Sequence, residues 1–311
     1  MEHIIEVKNL TKDYGSGRGV FDVSFHVDKG EVYGFLGPNG AGKSTTIRHL
    51  MGFSKPQSGH TLILGKETFN DYDKVLKHVG YIPGEIAFPA GLTGYELIDM
   101  LLTMKGAKEH NILDKLLDLF ELDDANLKQI TKRMSLGVKR KLAIVTAFMN
   151  DPDILILDEP TSGLDPKMQD VFINFIKEEK ERGKTILLSS HIFSEVDATC
   201  DRIGIIKEGK LVSTFISNDL KHAKDKLYKI YFDQENYMKA LNELKDISYL
   251  NIVDVSEEKH ALLVSIHEDY TQQFIEELTH FHILDFVSKN ETLEDYFMKF
   301  YKSDKTFKGV K

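Results

Sequence analysis

Gly37-Pro38-Asn39-Gly40-Ala41-Gly42-Lys43-Ser44-Thr45 fills every fixed position of the pattern G-x-x-x-x-G-K-[ST]. The spacing has a physical reason. Glycines let successive backbone N–H groups turn inward around an anion, the lysine reaches the outer phosphates, and the Ser44 hydroxyl is offered to Mg²⁺. Residues 31–36, Glu-Val-Tyr-Gly-Phe-Leu, read as a strand entering the loop. Residues 44–51 read as a helix leaving it, and the N-terminal end of that helix adds positive potential. The stretch predicts a triphosphate-binding loop between a strand and a helix.

Such a loop occurs in kinases, GTPases and transport motors, so the companion motifs decide. Ile154-Leu155-Ile156-Leu157 is an apolar strand that delivers two acids at its end, Asp158 and Glu159, before Pro160 stops it. Mg²⁺ held by Ser44 and Asp158 neutralises the outer phosphates, and Glu159 orients and deprotonates a water. Thr161-Ser162-Gly163-Leu164-Asp165-Pro166 follows directly. Leu188-Ser189-Ser190-His191 ends the next apolar strand. A lone histidine is usually an ordinary surface residue, but this one falls one strand after the acids, where open α/β sheets bind ligands. Finally, Met134-Ser135-Leu136-Gly137-Val138-Lys139-Arg140-Lys141-Leu142 opens a helix, with Ser135 placed 23 residues before Asp158.

The wider chain sets bounds. Its 311 residues give room for a large α/β domain and a smaller one. A net charge of −9 without a dominant basic block argues against a nucleic-acid-binding surface. Cys200 is the single cysteine, which leaves no intramolecular disulfide and fits a reducing compartment. The N-terminal stretch carries Glu2 and Glu6 where a signal peptide is basic and then continuously apolar, and it reads as a first strand. Uncharged apolar runs such as 142–150 and 185–194 stop at about ten residues, short of the roughly 18 a span needs. Work at a membrane therefore requires another subunit to cross it.

Residues 1–215 alternate short β-branched runs with amphipathic stretches, the pattern of an α/β domain with parallel strands; 154–157, 185–188 and 202–206 read as its buried centre. Between about 88 and 145 the strand signal is lost and 94–105, 111–120 and 137–149 show helical period, an inserted helical subdomain. After 215 the composition shifts. Residues 217–226 read as a polar link, and 216–311 as a second α+β domain. Its order is strand 228–233, helix 236–244, strand 247–255, strand 260–267, helix 270–279, strand 282–288 and a final helix 292–301. A β-α-β-β-α-β order suggests a ferredoxin-like unit. Lys299, Lys302, Lys305, Lys308 and Lys311 recur every third residue, a solvated end or a membrane-surface contact.

Together and in this order, the motifs resemble the nucleotide-binding subunit of ABC transporters over residues 4–215. The family's signature L-S-G-G-Q is matched at Met134, Ser135 and Gly137 in type or position. Leu136 and Val138 depart from it, in a form similar to the variant Y-S-L-G-M of the bacterial export subclass with separate membrane subunits. The resemblance implies a P-loop fold of ABC type: an α/β core, an antiparallel β subdomain and the helical insertion. It implies that Tyr14 stacks on the adenine of ATP; read alone, Tyr14 is a half-buried tyrosine at a strand end. Gly37, Pro38, Asn39, Gly40, Ala41, Gly42, Lys43, Ser44 and Thr45 would hold the phosphates, with Ser44 and Asp158 on Mg²⁺. Glu159 matches the catalytic base, His191 the residue that senses the γ-phosphate, and Asp165 the aspartate through which two monomers communicate. Ser135 and Gly137 act in such proteins on the ATP held by the other subunit. The functional unit is then a homodimer, or a heterodimer with a related ATPase.

One family position is missing, because Gly84 stands where the family has a glutamine that touches Mg²⁺. Glu85, the next residue, offers a hard oxygen ligand in its place. Residues 86–94 match the segment where such subunits dock a membrane-spanning permease subunit. The resemblance thus implies an ATP-hydrolysing motor of a bacterial exporter, peripheral on the cytoplasmic side of the cell membrane. A non-transport ABC ATPase acting on nucleic acid or ribosomes is the alternative. The single phosphate loop, the lack of a long coiled-coil insertion or zinc-type cysteines, and the acidic balance count against it. A small-molecule kinase leaves residues 134–142 unexplained.

Overall fold

The computed structural model describes residues 2–105, 111–217, 225–289, 293, 294 and 297. They fall into two units, Met1–Ser217 and Asn218–Lys311. In the first, β1 (His3–Gly15) and β2 (Arg18–Asp28) form an antiparallel hairpin, followed by β3 (Val32–Leu36) and α1 (Lys43–Leu50). Next come β4 (Ser58–Ile63), β5 (Lys66–Glu67), the short α2 (Tyr72–Val75) and β6 (Val79–Ile82). Four helices are then inserted, α3 (Gly94–Lys105), α4 (Asn111–Leu119), α5 (Asp124–Leu127) and α6 (Leu136–Phe148). The chain returns through β7 (Ile154–Asp158), α7 (Pro166–Glu181), β8 (Thr185–Ser190), α8 (Phe193–Thr199), β9 (Arg202–Lys207) and β10 (Lys210–Ile216).

The six-stranded sheet runs β10-β9-β3-β8-β7-β6, parallel except for β10 at its edge. Every residue of β3, β7 and β8 is buried. That is why these segments lack a polar alternation: helices such as α8 cover one face, and α1 with the β1-β2 hairpin covers the other, so no side of the strand meets water. A second, antiparallel sheet runs β2-β1-β4-β5. The strand leaving α1 thus pairs back on the N-terminal strand, Ile5 opposite Ile63 and Val7 opposite Thr61. The inserted helices rest on α7 through edge-on contacts of Phe120 and Phe148 with Phe175.

The second unit holds β11 (Asp225–Phe232), α9 (Gln234–Leu244), β12 (Leu250–Ser256), β13 (Ala261–His267), α10 (Thr271–Leu278) and β14 (Ile283–Lys289). Its sheet runs β12-β13-β11-β14, all antiparallel, so the fourth strand lies beside the first and the third beside both the first and the second. This is the ferredoxin-like arrangement expected from the element order. Tyr228, Ile230 and Phe232 alternate inward with Leu262, Val264 and Ile266 against Tyr237, Leu244 and Phe274 of the helices. Of the expected link 217–226, residues 218–224 lie outside the described residues, as do the lysine tail and most of the helix expected at 292–301.

Candidate functional site

The phosphate-type loop leaves β3 and is pinned at both ends. The Gly37 N–H donates to the Ser190 carbonyl at 3.4 Å, and the Ala41 carbonyl accepts from the Gly209 N–H at 2.9 Å. Gly40 (φ 82°) and Gly42 (φ 112°) adopt left-handed backbone that a side chain would strain. Gly42 supplies no side-chain cap to α1, so the first N–H groups of that helix point into the loop without a protein acceptor from the cap residue. Lys43 is only 4% exposed; its ammonium donates to the carbonyls of Gly37 (2.6 Å) and Pro38 (3.2 Å). Ser44, on the next position of α1, is exposed.

Asp158 ends β7 opposite Ser189 of β8, and one of its carboxylate oxygens accepts from the Ser189 hydroxyl. The other, Oδ2, faces Gly84: a Cβ on that glycine would lie 2.9 Å from it. The chain then turns sharply, with Glu159 in left-handed backbone at φ 48°. Its N–H is shared between the Ser189 carbonyl (3.0 Å) and hydroxyl (3.3 Å), which fixes the turn. The Glu159 carboxylate reaches two other residues expected from the sequence: Oε1 is 3.2 Å from Lys43 Nζ and Oε2 is 3.3 Å from His191 Nδ1. Loop lysine, strand-end acids and histidine thus converge at the C-terminal edge of the parallel sheet, where such sheets bind ligands. Asp158 and the Ser44 hydroxyl are hard oxygen donors of the kind Mg²⁺ selects, so the donor set fits that ion. Glu85 is exposed on the loop beside Gly84.

Other expected residues stand elsewhere. Tyr14, near the end of β1, is 56% exposed rather than half-buried, with Lys12 Nζ 5.8 Å from its ring centre. Ser135 caps its own helix, its hydroxyl accepting from the Val138 N–H at 3.3 Å. Gly137 faces the Gly163 carbonyl, and the exposed Leu136 packs on Gly163, which accounts for leucine at this position. Asp165 caps α7, accepting from the Met168 N–H at 3.0 Å. Among the described residues, no hydrogen bond or ion pair within the chain joins these four to Lys43, Asp158, Glu159 or His191.

Two residues escaped the sequence reading. Arg140 of α6 is 2% exposed, and its guanidinium donates to the carbonyls of Pro83 (2.9 Å), Gly84 (2.8 Å) and Ser162 (2.9 Å). It sits in a Lys-Arg-Lys run that reads as a solvated face. Helical period would have exposed it, since it shares a stripe with the buried Ala143, Ile144 and Ala147. Glu195 of α8 is 1% exposed; its Oε2 accepts from the hydroxyls of Ser190 (2.6 Å) and Thr161 (3.3 Å), and its Oε1 has no hydrogen-bond partner among the described residues. No motif marked it.

Burial pushes the Glu195 carboxyl from its ordinary 4.5 up to about 7, against the pull of the two hydroxyl donors and with a small further push from Glu159. The folded value lies above the unfolded one, so the stabilisation of the neutral acid is full below about pH 4.5 and is lost as pH rises through about 7. Glu195→Gln keeps the shape and stays neutral. Between pH 5 and pH 8 the wild type should lose on the order of 3 kcal/mol of stability that this variant does not lose. Urea unfolding at the two pH values measures the difference; parallel losses in the two proteins would contradict it.

Residues 20–162 match the family described as "ABC transporter". Over 308 residues the chain is 35% identical to "Bacitracin transport ATP-binding protein BcrA" of Bacillus licheniformis, covering 96% of this chain and 97% of that protein. Among solved structures, "Structure of ATP binding subunit of ABC transporter" is similar at a TM-score of 0.65 and 33% identity, over 70% of this chain and 92% of the other. A dimeric post-hydrolysis state of an ATP-binding cassette bound to ADP and Pi is similar at a TM-score of 0.61 and 25% identity, over 68% and 98%.

Proposed function

This chain belongs to the ABC transporter family as an ATP-binding, ATP-hydrolysing subunit, and from that membership we propose that it is the motor of a bacterial exporter with a peptide antibiotic as cargo. The cargo class rests on the bacitracin-transport relative, whose likeness extends through both units. Among the described residues no helix is long and apolar enough to cross a membrane. A separate permease subunit supplies the path, and we place this chain against its cytoplasmic face, docked through residues 86–94.

The observation that carries the reading is the meeting of Lys43, Glu159 and His191 beside Asp158. Lys43 and the first N–H groups of α1 bind the outer phosphates of ATP, and the exposed ring of Tyr14 stacks on adenine. Mg²⁺ held by Ser44 and Asp158, with Glu85 as a further oxygen donor, would neutralise charge on the β- and γ-phosphates. Glu159, aimed by its left-handed backbone, takes the proton of the attacking water. His191 holds the far oxygen of Glu159 and faces the γ-phosphate. In the dimer, Ser135, Gly137 and the N-terminal end of α6 of one subunit cover the ATP of the other, and Asp165 lies at the contact.

Purification of the tagged chain from its own membranes is the test. A membrane-spanning subunit should co-purify, and adding that subunit in lipid vesicles should raise the Mg²⁺-dependent ATPase rate. A rate that instead answers to DNA, RNA or ribosomes would replace this reading with the non-transport one.

A further inference from the structure

Arg140 is the least expected buried group in the first unit. A guanidinium is strongly solvated, and removing it from water costs several kcal/mol unless its donors are met. Three backbone carbonyls meet them, and among the described residues no carboxylate lies within ion-pair reach of Arg140. The carbonyls come from two separate places. Pro83 and Gly84 belong to the loop after β6, and Gly84 is the residue pressed against Asp158 Oδ2. Ser162 belongs to the turn after β7, and its N–H donates to the Glu159 carbonyl at 3.1 Å. One planar side chain on the first turns of α6 therefore holds the backbone behind Asp158 and the backbone behind Glu159 at once. Nε reaches one loop while the two terminal nitrogens straddle the other.

We propose that Arg140 is a positioning residue for ATP hydrolysis: it locks α6, the Pro83–Gly84 backbone and the Glu159 turn into one unit, so that movement of the helical subdomain over ATP resets Asp158 and Glu159 together. This rests on the ATPase reading above. With glycine at 84 there is no side chain to link the helical subdomain to the metal carboxylate, and the link runs through carbonyls that Arg140 holds. Displacement of either acid by about 1 Å is enough for a loss near a hundredfold. Among the described residues no hydrogen bond joins the phosphate loop to these three carbonyls, so ATP binding is spared.

The test uses the full chain and measures steady-state ATPase together with equilibrium ATP binding. In Arg140→Met, kcat should fall about 10- to 100-fold while the Kd for ATP stays within about threefold. Arg140→Gln, which keeps an amide donor, should also fall at least about tenfold and covers the case in which methionine prevents folding. Arg140→Lys should fail to rescue, because a single ammonium cannot span both loops. In Gly84→Ala the added Cβ already pushes the loop off Asp158, so adding Arg140→Met should lower kcat no more than about twofold further. Near-normal kcat in a folded Arg140→Met or Arg140→Gln, equal losses of kcat and ATP affinity, or effects of Arg140 and Gly84 that multiply would overturn the proposal. Absence of turnover in the wild type removes the ATPase reading with it, whereas turnover that the Arg140 variants retain removes this inference alone.

Discussion

Glu159→Gln should lower steady-state ATP hydrolysis about 10²- to 10⁴-fold, the usual worth of a general base, with ATP affinity unchanged or tighter. The amide has the same shape, and the N–H that fixes the turn donates to Ser189 whatever the side chain carries. What the variant would lose is the proton acceptor of the proposed hydrolysis. The Glu159 carboxylate also lies 3.2 Å from the Lys43 ammonium, so it competes with phosphate for that cation. Neutralising it releases Lys43 to the ligand, which is why binding should not suffer. With ATP present the variant should accumulate as a closed dimer, read by gel filtration, while single-turnover experiments report the slowed step. A variant that hydrolyses ATP at close to the normal rate would remove Glu159 from its role.

The second large effect is on binding. Lys43→Ala should raise the Kd for ATP about 30-fold to several thousandfold, the range for losing one partner of a buried charge contact. Its ammonium is held at the mouth of the loop by the carbonyls of Gly37 and Pro38, already positioned when phosphates arrive. Alanine would leave those carbonyls unpaired and the phosphates facing one positive charge fewer. Equilibrium dialysis with labelled ATP gives the affinity. A Kd within threefold of the wild type would show that the N–H groups of α1 carry the phosphates without the lysine.

How much of this was legible in the chain divides along a physical line. Groups whose roles depend on local spacing were readable: the glycine loop, the apolar strand ending in Asp158-Glu159, the helical period between 88 and 145, and the strand–helix order that became the β12-β13-β11-β14 sheet. Pairings between distant segments were not. Nothing in residues 58–63 says that they cross to β1 instead of extending the parallel sheet. Arg140 was hidden because its partners are backbone carbonyls of residues 83, 84 and 162, which leave no trace in side-chain types. Glu195 was hidden for the same reason that it titrates late: only burial distinguishes it from an exposed helical glutamate. Ser135 and Asp165 were singled out for a partner subunit, and each also does an ordinary local task as a helix cap.

The position of β3 bears on how the chain is made. β3 lies between β8 and β9, so the strand after which the glycine loop follows is finished early but acquires its first neighbour only after about 150 further residues have been synthesised and its second after about 170. At ribosomal rates of about 5–20 residues per second, both edges of an entirely apolar strand stay unpaired for roughly 8–30 s. During that interval the nascent chain offers a template for aggregation, and a chaperone that shields residues 32–36 until β8 emerges would set the yield of active protein.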